Sequence, residues 1–325
     1  MLLLLKELNY DFFSMGSYLN PNQPVEGRRP PIPYKIDNHL ISLALRYSKD
    51  FLPDPLIDIF DVIIIMHIPE WLGNNFNRMR DKKVVWWSIG QSTPDQEKWL
   101  RFYRDNGVKL LRYSSKEDYI PNYAGADAII KFYKDENEFC GWTGETKQVI
   151  TVCQSMKQRD QYCNYNTVSQ IVAGLPYKLF GTPSKNPDGT IMPDPLWHGE
   201  LSYDEMKNQL RGSRIYLYTN TYPACYTLNF IEAWMTGIPV VALGSGLSNP
   251  KIFGDWNTYQ IPDLIKNEVD GFYSDDIGYL REKIQKLLDD YEYAKRIGEA
   301  GRKKAIEIFG KEQAKKGWQD FLSKL

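Results

Sequence analysis

What this sequence has least of is long apolar runs. The opening MLLLLKEL carries only Met1 to Leu5 before Lys6 and Glu7 interrupt it. A secretory core takes about 7–15 apolar residues and a membrane-spanning helix about 20. The sequence therefore predicts neither, and a cytoplasmic protein is expected. Cysteine is nearly as scarce. Cys140, Cys153, Cys163 and Cys225 form no C-x-x-C pair, and the three His do not cluster with them. That argues against structural zinc and against a disulfide framework, and leaves four reduced thiols as the expectation. Nor is there an excess of one charge: 40 Lys and Arg face 41 Asp and Glu, for a formal net charge of -1. Such a chain exerts no general pull on nucleic acid or membrane, so an anionic ligand has to meet local basic side chains. No Asp-x-Asp motif presents metal-ligating carboxylates, and neither a metal nor another cofactor is expected. The pair Asp275-Asp276 precedes a helical pattern and reads as its N-terminal cap.

What the sequence does have is 42% hydrophobic residues over 325 positions, enough for two domains with cores of their own. Aromatics are plentiful, with nine Trp and 22 Tyr; such rings pack on sugars in some proteins and fill cores in most. Strand-like runs stand at Val62–Met66, Lys83–Ile89, Lys109–Tyr113, Ala128–Phe132, Gln148–Cys153, Tyr177–Phe180, Ile215–Tyr218 and Pro239–Leu243. Several are continuous rather than alternating, which suits parallel strands covered on both faces. Helical patterns separate them, at Ser202–Arg211, Leu228–Thr236 and Gly278–Asp289 among others, so the expected class is α/β with parallel sheets. The polar stretch Tyr133–Lys147 reads as a linker. It divides the chain into 1–145, a Rossmann-like domain, and 146–325, a second one ending in helices expected to pack back toward the first. Two facing domains put the default ligand site in the cleft between them. At the amino end, Leu2–Leu8 reads as the end of a helix and Asp11–Met15 as a strand, while no strand and Gly-rich turn of the kind that usually opens such a domain is evident; two expectations stand open, a start farther upstream or another element in that place in the sheet. The Pro-rich stretch Asn20–Pro33, with Arg28 and Arg29, reads as a loop.

The chemistry concentrates in WHGELSYDEMKNQLRGSRIYLYTNTYPACYTLNFIEAWMTGIPVVALGSG, Trp197 to Gly246. A strand ends at Tyr218, a loop containing Pro223 follows, and Thr227 is placed to cap the helix Leu228–Thr236. Gly237 and Pro239 stop that helix. A helix N-terminus at the carboxyl end of a strand offers free amides and a dipole to a phosphate. Glu232, about one turn in, is placed to accept hydrogen bonds from two ribose hydroxyls, or is simply a surface Glu.

The run NFIEAWMTGIPVVALGSG resembles the signature of retaining GT-B glycosyltransferases of family four (glycosyl transferases group 1). The resemblance extends to WHGELSYDEMKNQL, which matches the family's Gly-x-Leu-Ser step near the base (Gly199, Leu201), and on through NEVDGFYSDD. It implies a GT-B fold and transfer of a hexose or pentose from a nucleoside diphosphate sugar, UDP- or GDP-linked, without a metal. Glu232 then grips the donor ribose, and the amides of Thr227 and Leu228, next to Tyr226, hold the phosphates. The resemblance places Arg159, Lys157 and Gln154 near the pyrophosphate, with Gln154 where the family has Arg. VIIIMHIPEWL resembles the family's strand ending in a His beside the donor sugar, which makes His67 a catalytic candidate with Arg159 and Glu232. The family's second acidic residue, eight positions before Glu232, is Ala224 here, and its Gly-Phe-Gly is Cys225-Tyr226-Thr227. The acceptor is left open: a glycan, a lipid-linked glycan or a small molecule. Two further readings stand beside it. One is a phage-type transferase acting on hydroxymethylated bases of DNA, for which Arg28, Arg29 and the cluster Arg78–Lys83 speak. The other is a GT-B-shaped protein that binds nucleotide sugars without turning them over, for which Ala224 speaks.

Overall fold

The computed structural model describes residues 2–14, 38–45, 51–66, 68–90, 92–252 and 254–325. His67, Arg28 and Arg29 lie outside them. The chain forms two compact units, Met1–Lys131 with Ala314–Leu325, and Phe132–Gln313. The stretch Tyr133–Lys147, read above as a linker, counts with the second unit.

The first unit holds a parallel sheet of β1 (Val62–Met66), β2 (Lys83–Trp87), β3 (Lys109–Arg112) and β4 (Ala128–Ile129), in that spatial order. Its core packs Leu72, Met79, Val84, Trp86, Leu100 and Leu110. The helix Pro94–Asp105 starts at Thr93, whose hydroxyl accepts from the Gln96 amide. From it Glu97 reaches the buried guanidinium of Arg112 in a two-bonded pair, 2.7 Å on each side. A second buried carboxylate, Glu117, accepts from the Ser88 hydroxyl at 2.9 Å. The final segment belongs here too: Trp318 meets Trp87 edge-on with centroids 5.0 Å apart. At the amino end the helix runs Leu2–Glu7 as expected. Of Asp11–Met15, read above as a strand, residues 11–14 carry no strand and Met15 lies outside the described residues.

The second unit holds β5 (Thr146–Val152), β6 (Tyr177–Phe180), β7 (Ser213–Tyr218), β8 (Val240–Leu243) and β9 (Phe272–Ser274). All neighbours are parallel, in the order β6-β5-β7-β8-β9. Every residue of β7 and β8 is buried, as two-sided burial requires of parallel strands. The sequence did not suggest β9, which is three residues long. The helix Leu228–Thr236 packs against Tyr291–Phe309 closely enough that a Cβ on Gly298 would stand 2.1 Å from the Gly237 carbonyl oxygen.

Candidate functional site

The strand order sets the position of the site. From β5 the chain crosses to β6 on one side, then returns to β7 on the other. Loops at the carboxyl ends of β5 and β7 therefore meet at a topological switch point, where doubly wound sheets take their ligands. Three loops converge there. The segment after β5 is bound to the segment after β7: Asn164 Nδ2 donates to the Thr219 carbonyl at 3.0 Å and the Tyr222 amide to the Tyr162 carbonyl at 2.9 Å. The loop after β6 joins through the Thr182 amide, which donates to Gln154 Oε1 at 2.7 Å, and through Ser155 and Thr182 hydroxyls 3.1 Å apart. Gly181 makes that approach feasible: a Cβ on it would lie 2.2 Å from the Cys153 carbonyl oxygen. Its amide donates to the Gly199 carbonyl at 3.0 Å. Gly199, at φ 105, then leads through Leu201 into the helix Tyr203–Gly212, opened by a capping box of Ser202 and Glu205.

The start of the Leu228–Thr236 helix is held by side chains. The buried Tyr218 hydroxyl accepts from the Thr227 amide at 3.1 Å and donates to Asn220 Oδ1 at 3.0 Å. Asn220 Nδ2 donates to the Ala224 carbonyl at 3.1 Å. Thr227 occupies the cap position, as expected, but its hydroxyl turns to Asn229 Oδ1 and the Tyr218 phenol instead of a helix amide. Asn229 Nδ2 reaches across the switch point to the Val152 carbonyl at 2.7 Å. The Thr227 amide is thus occupied. Those of Leu228 and Asn229 meet no acceptor among the described residues, and they stand where the dipole of the helix favours an anion.

Glu232 lies one turn along, its side chain 12% exposed, ion-paired with Lys134. Burial pushes its carboxyl above the usual range, and Lys134 pulls it back. Tyr203 stands beside it, its phenol pushed up by burial and by the carboxylates of Glu138 and Glu232. Lys207 pairs with Glu138 at 3.3 Å. On the other side of the helix start, the Arg159 guanidinium is half-exposed and donates to the Gln154 carbonyl at 3.3 Å. Lys157 gives its ammonium to the Pro193 carbonyl at 2.6 Å. The Cys163 thiol is drawn down by the neighbouring Cys153 thiol, with Arg159 assisting against burial.

No family model and no curated protein matches this sequence. Solved structures do match. A glycosyltransferase from Rickettsia africae aligns over 90% of this chain and 83% of its own, with a TM-score of 0.61 and 14% identity. A sucrose-phosphate synthase from Thermosynechococcus elongatus covers 92% and 82%, at 0.61 and 12%. HepE of Anabaena, solved with UDP-glucose, covers 83% and 82%, at 0.62 and 14%. The fold is GT-B.

Within this GT-B chain, Gln154, Lys157, Arg159, Gly199, Leu201, Thr227, Leu228 and Glu232 all belong to the second unit, on the three loops and two helices just described. Tyr226 belongs there as well, but its ring is buried against Phe132 and Phe309, so it offers a ligand main chain only. His67 lies outside the described residues. Asp276 caps its helix, accepting from the Gly278 and Tyr279 amides, and Asp275 receives the Leu247 amide at 2.8 Å. Among the described residues no three His, Cys, Asp or Glu side chains gather as a metal site, and no helix is long and apolar enough to cross a membrane. Sequence reading missed Lys134, Tyr218, Asn220 and Asn229. Only Asn229 had a visible signal, an amide side chain in the first turn of an otherwise apolar helix.

Proposed function

We propose that the chain is a glycosyltransferase that moves a sugar from a nucleoside diphosphate sugar to an acceptor, with retention of anomeric configuration and in the manner of family four. The observation that carries this is the start of the Leu228–Thr236 helix. Two amides without acceptors among the described residues face the switch point of a GT-B fold, and a shielded carboxylate, Glu232, stands one turn behind them. The donor diphosphate takes the amides of Leu228 and Asn229 and the Arg159 guanidinium. Lys157 is a second cation on the same loop. Glu232 accepts from the ribose hydroxyls. As the bond between the anomeric carbon and the diphosphate breaks, these donors stabilise the charge that collects on the leaving oxygen. The acceptor hydroxyl oxygen bonds the anomeric carbon, and its proton passes to the departing diphosphate oxygen. UDP- or GDP-sugars are the donors to try first, and glycans, lipid-linked glycans or small molecules the acceptors.

A thermal-shift screen against UDP-, GDP-, ADP- and CMP-linked sugars identifies the donor, because a ligand that binds only the folded state raises its melting temperature. Glu232→Ala should then lose about 1.5–3 kcal/mol for each ribose hydrogen bond, tenfold or more in affinity. Unchanged donor affinity and turnover in that variant would sink the assignment. Ala224, standing where the family has an acid, favours one other reading: a protein that binds the donor and releases no nucleotide over hours with any acceptor. For the DNA reading, Arg28 and Arg29 lie outside the described residues, and part of the cluster Arg78–Lys83 is already engaged. Arg78 is spent on Asp54 and the Leu52 carbonyl, and Lys82 on the Asp58 carbonyl.

A further inference from the structure

The ion pair between Lys134 and Glu232 joins two parts of the second unit that the sequence keeps far apart. Lys134 sits in the polar stretch after β4, with 19% of its side chain exposed, and its ammonium also lies 5.2 Å from the centre of the Phe139 ring. Its main chain is fixed as well, the amide donating to the Phe309 carbonyl at 3.2 Å. The stretch around it is held by Arg302, which spends its guanidinium on the carbonyls of Glu136, Phe139 and Met235, and by Arg211, which donates to those of Glu138 and Cys140. A rigidly mounted ammonium thus meets a shielded carboxylate. A buried carboxylate without such a partner takes up a proton rather than remain charged.

We infer that Lys134 is a positioning residue for nucleotide binding: its ammonium holds Glu232 ionised and aimed, so that the carboxylate accepts from both ribose hydroxyls. This rests on the assignment of Glu232 to the ribose. The groups around Glu232 leave the task to Lys134. Glu138, from the same stretch, is a like charge. Tyr203, on the Tyr203–Gly212 helix, and Tyr216, on β7, both feel the Glu232 charge and are pushed further from ionisation. The other nearby ammonium, Lys207, is shared between Glu138 at 3.3 Å and Asp204 at 2.9 Å. The family pattern in the sequence names the glutamate; its counter-charge becomes visible only in the folded chain.

The test is calorimetric titration of the full chain with UDP, GDP or ADP, whichever gives the largest thermal shift, at a series of pH values from about 6 to about 9. Four proteins are compared: the unaltered chain, Lys134→Met, Lys134→Arg and Glu232→Ala. Methionine keeps the length of the stem and its packing on Phe139 while removing the charge. Lys134→Met is expected to bind about tenfold more weakly at the acidic end and to converge on the unaltered chain at the alkaline end, as Glu232 regains its charge. Lys134→Arg should restore the unaltered profile. A loss of the same size at every pH, as from a direct phosphate contact or a loosened fold, would overturn the inference, and so would no loss at all. If Glu232→Ala binds as tightly as the unaltered chain, the ribose assignment itself fails. If Glu232→Ala weakens binding and Lys134→Met shows no recovery with pH, only the role of Lys134 fails.

Discussion

Tyr218 shows how much of this site depends on single polar atoms placed in an apolar strand. Its hydroxyl is the acceptor for the Thr227 amide and the donor to Asn220, and through Asn220 it reaches Ala224. Tyr218→Phe deletes one oxygen and leaves the buried Asn220 Oδ1 and the partly buried Thr227 amide without that hydrogen bond. Each such group costs about 1–3 kcal/mol when burial is retained. A shift of the urea midpoint of that order is expected, along with weaker nucleotide binding as the helix start loosens. A variant with unaltered stability would show that the network contributes nothing. None of this was legible in the sequence, because a Tyr in a buried strand looks the same whether or not its hydroxyl is used. Lys134 was hidden for another reason. It lies in the polar stretch that reads as a linker, and its partner is remote in the chain.

Elements were more legible than residues. The helix Leu228–Thr236 has the bounds its pattern implied, since Gly237 takes the left-handed conformation at its end with φ 93 and Pro239 forbids continuation. Continuous apolar runs gave β1 and β6 to the residue and most other strands to within a few positions. β9 escaped because three residues are too few to show a period. Packing between elements was the part no pattern revealed. Gly298 lies within a long helix, where glycine weakens the backbone, and the structure supplies the reason: the carbonyl of Gly237 occupies the space a side chain would need. Gly298→Ala has to push the Leu228–Thr236 and Tyr291–Phe309 helices apart, at a cost of about 1–3 kcal/mol. Because the first of these carries Glu232, donor affinity should fall together with the melting temperature. A variant of full stability would mean that the helices yield without strain.

At the scale of the whole molecule, the two parallel sheets follow from strand-helix alternation and the GT-B class from one segment of the second half. The first unit was harder to read. Its charged core is built from Glu97, Arg112 and Glu117, which are far apart in the sequence or separated by turns. There, two carboxylates share one guanidinium. Burial raises the Glu117 carboxyl to about 7, against the pull of Arg112 and the Ser88 hydroxyl. An unfolded chain ionises that group near 4.5, so the folded state holds the proton more tightly. Stability from this group is therefore complete below the unfolded value, declines as pH rises toward about 7 and then levels off. The loss is on the order of 3 kcal/mol. Glu117→Gln should flatten that part of the melting-temperature profile while leaving an amide oxygen for Ser88. Parallel profiles for the two proteins would refute the assignment.

The second unit is continuous, whereas the first is assembled from residues 1–131 and 314–325. Trp318 fills a space beside Trp87, and Gly317 lies against Ile130, where a Cβ would come within 3.3 Å. The amino-terminal half is therefore unfinished until residues 314–325 have been made. Residues 314–325 must leave the ribosome before that half can close, and a protease nick within them will register in the half from which they are most distant in sequence.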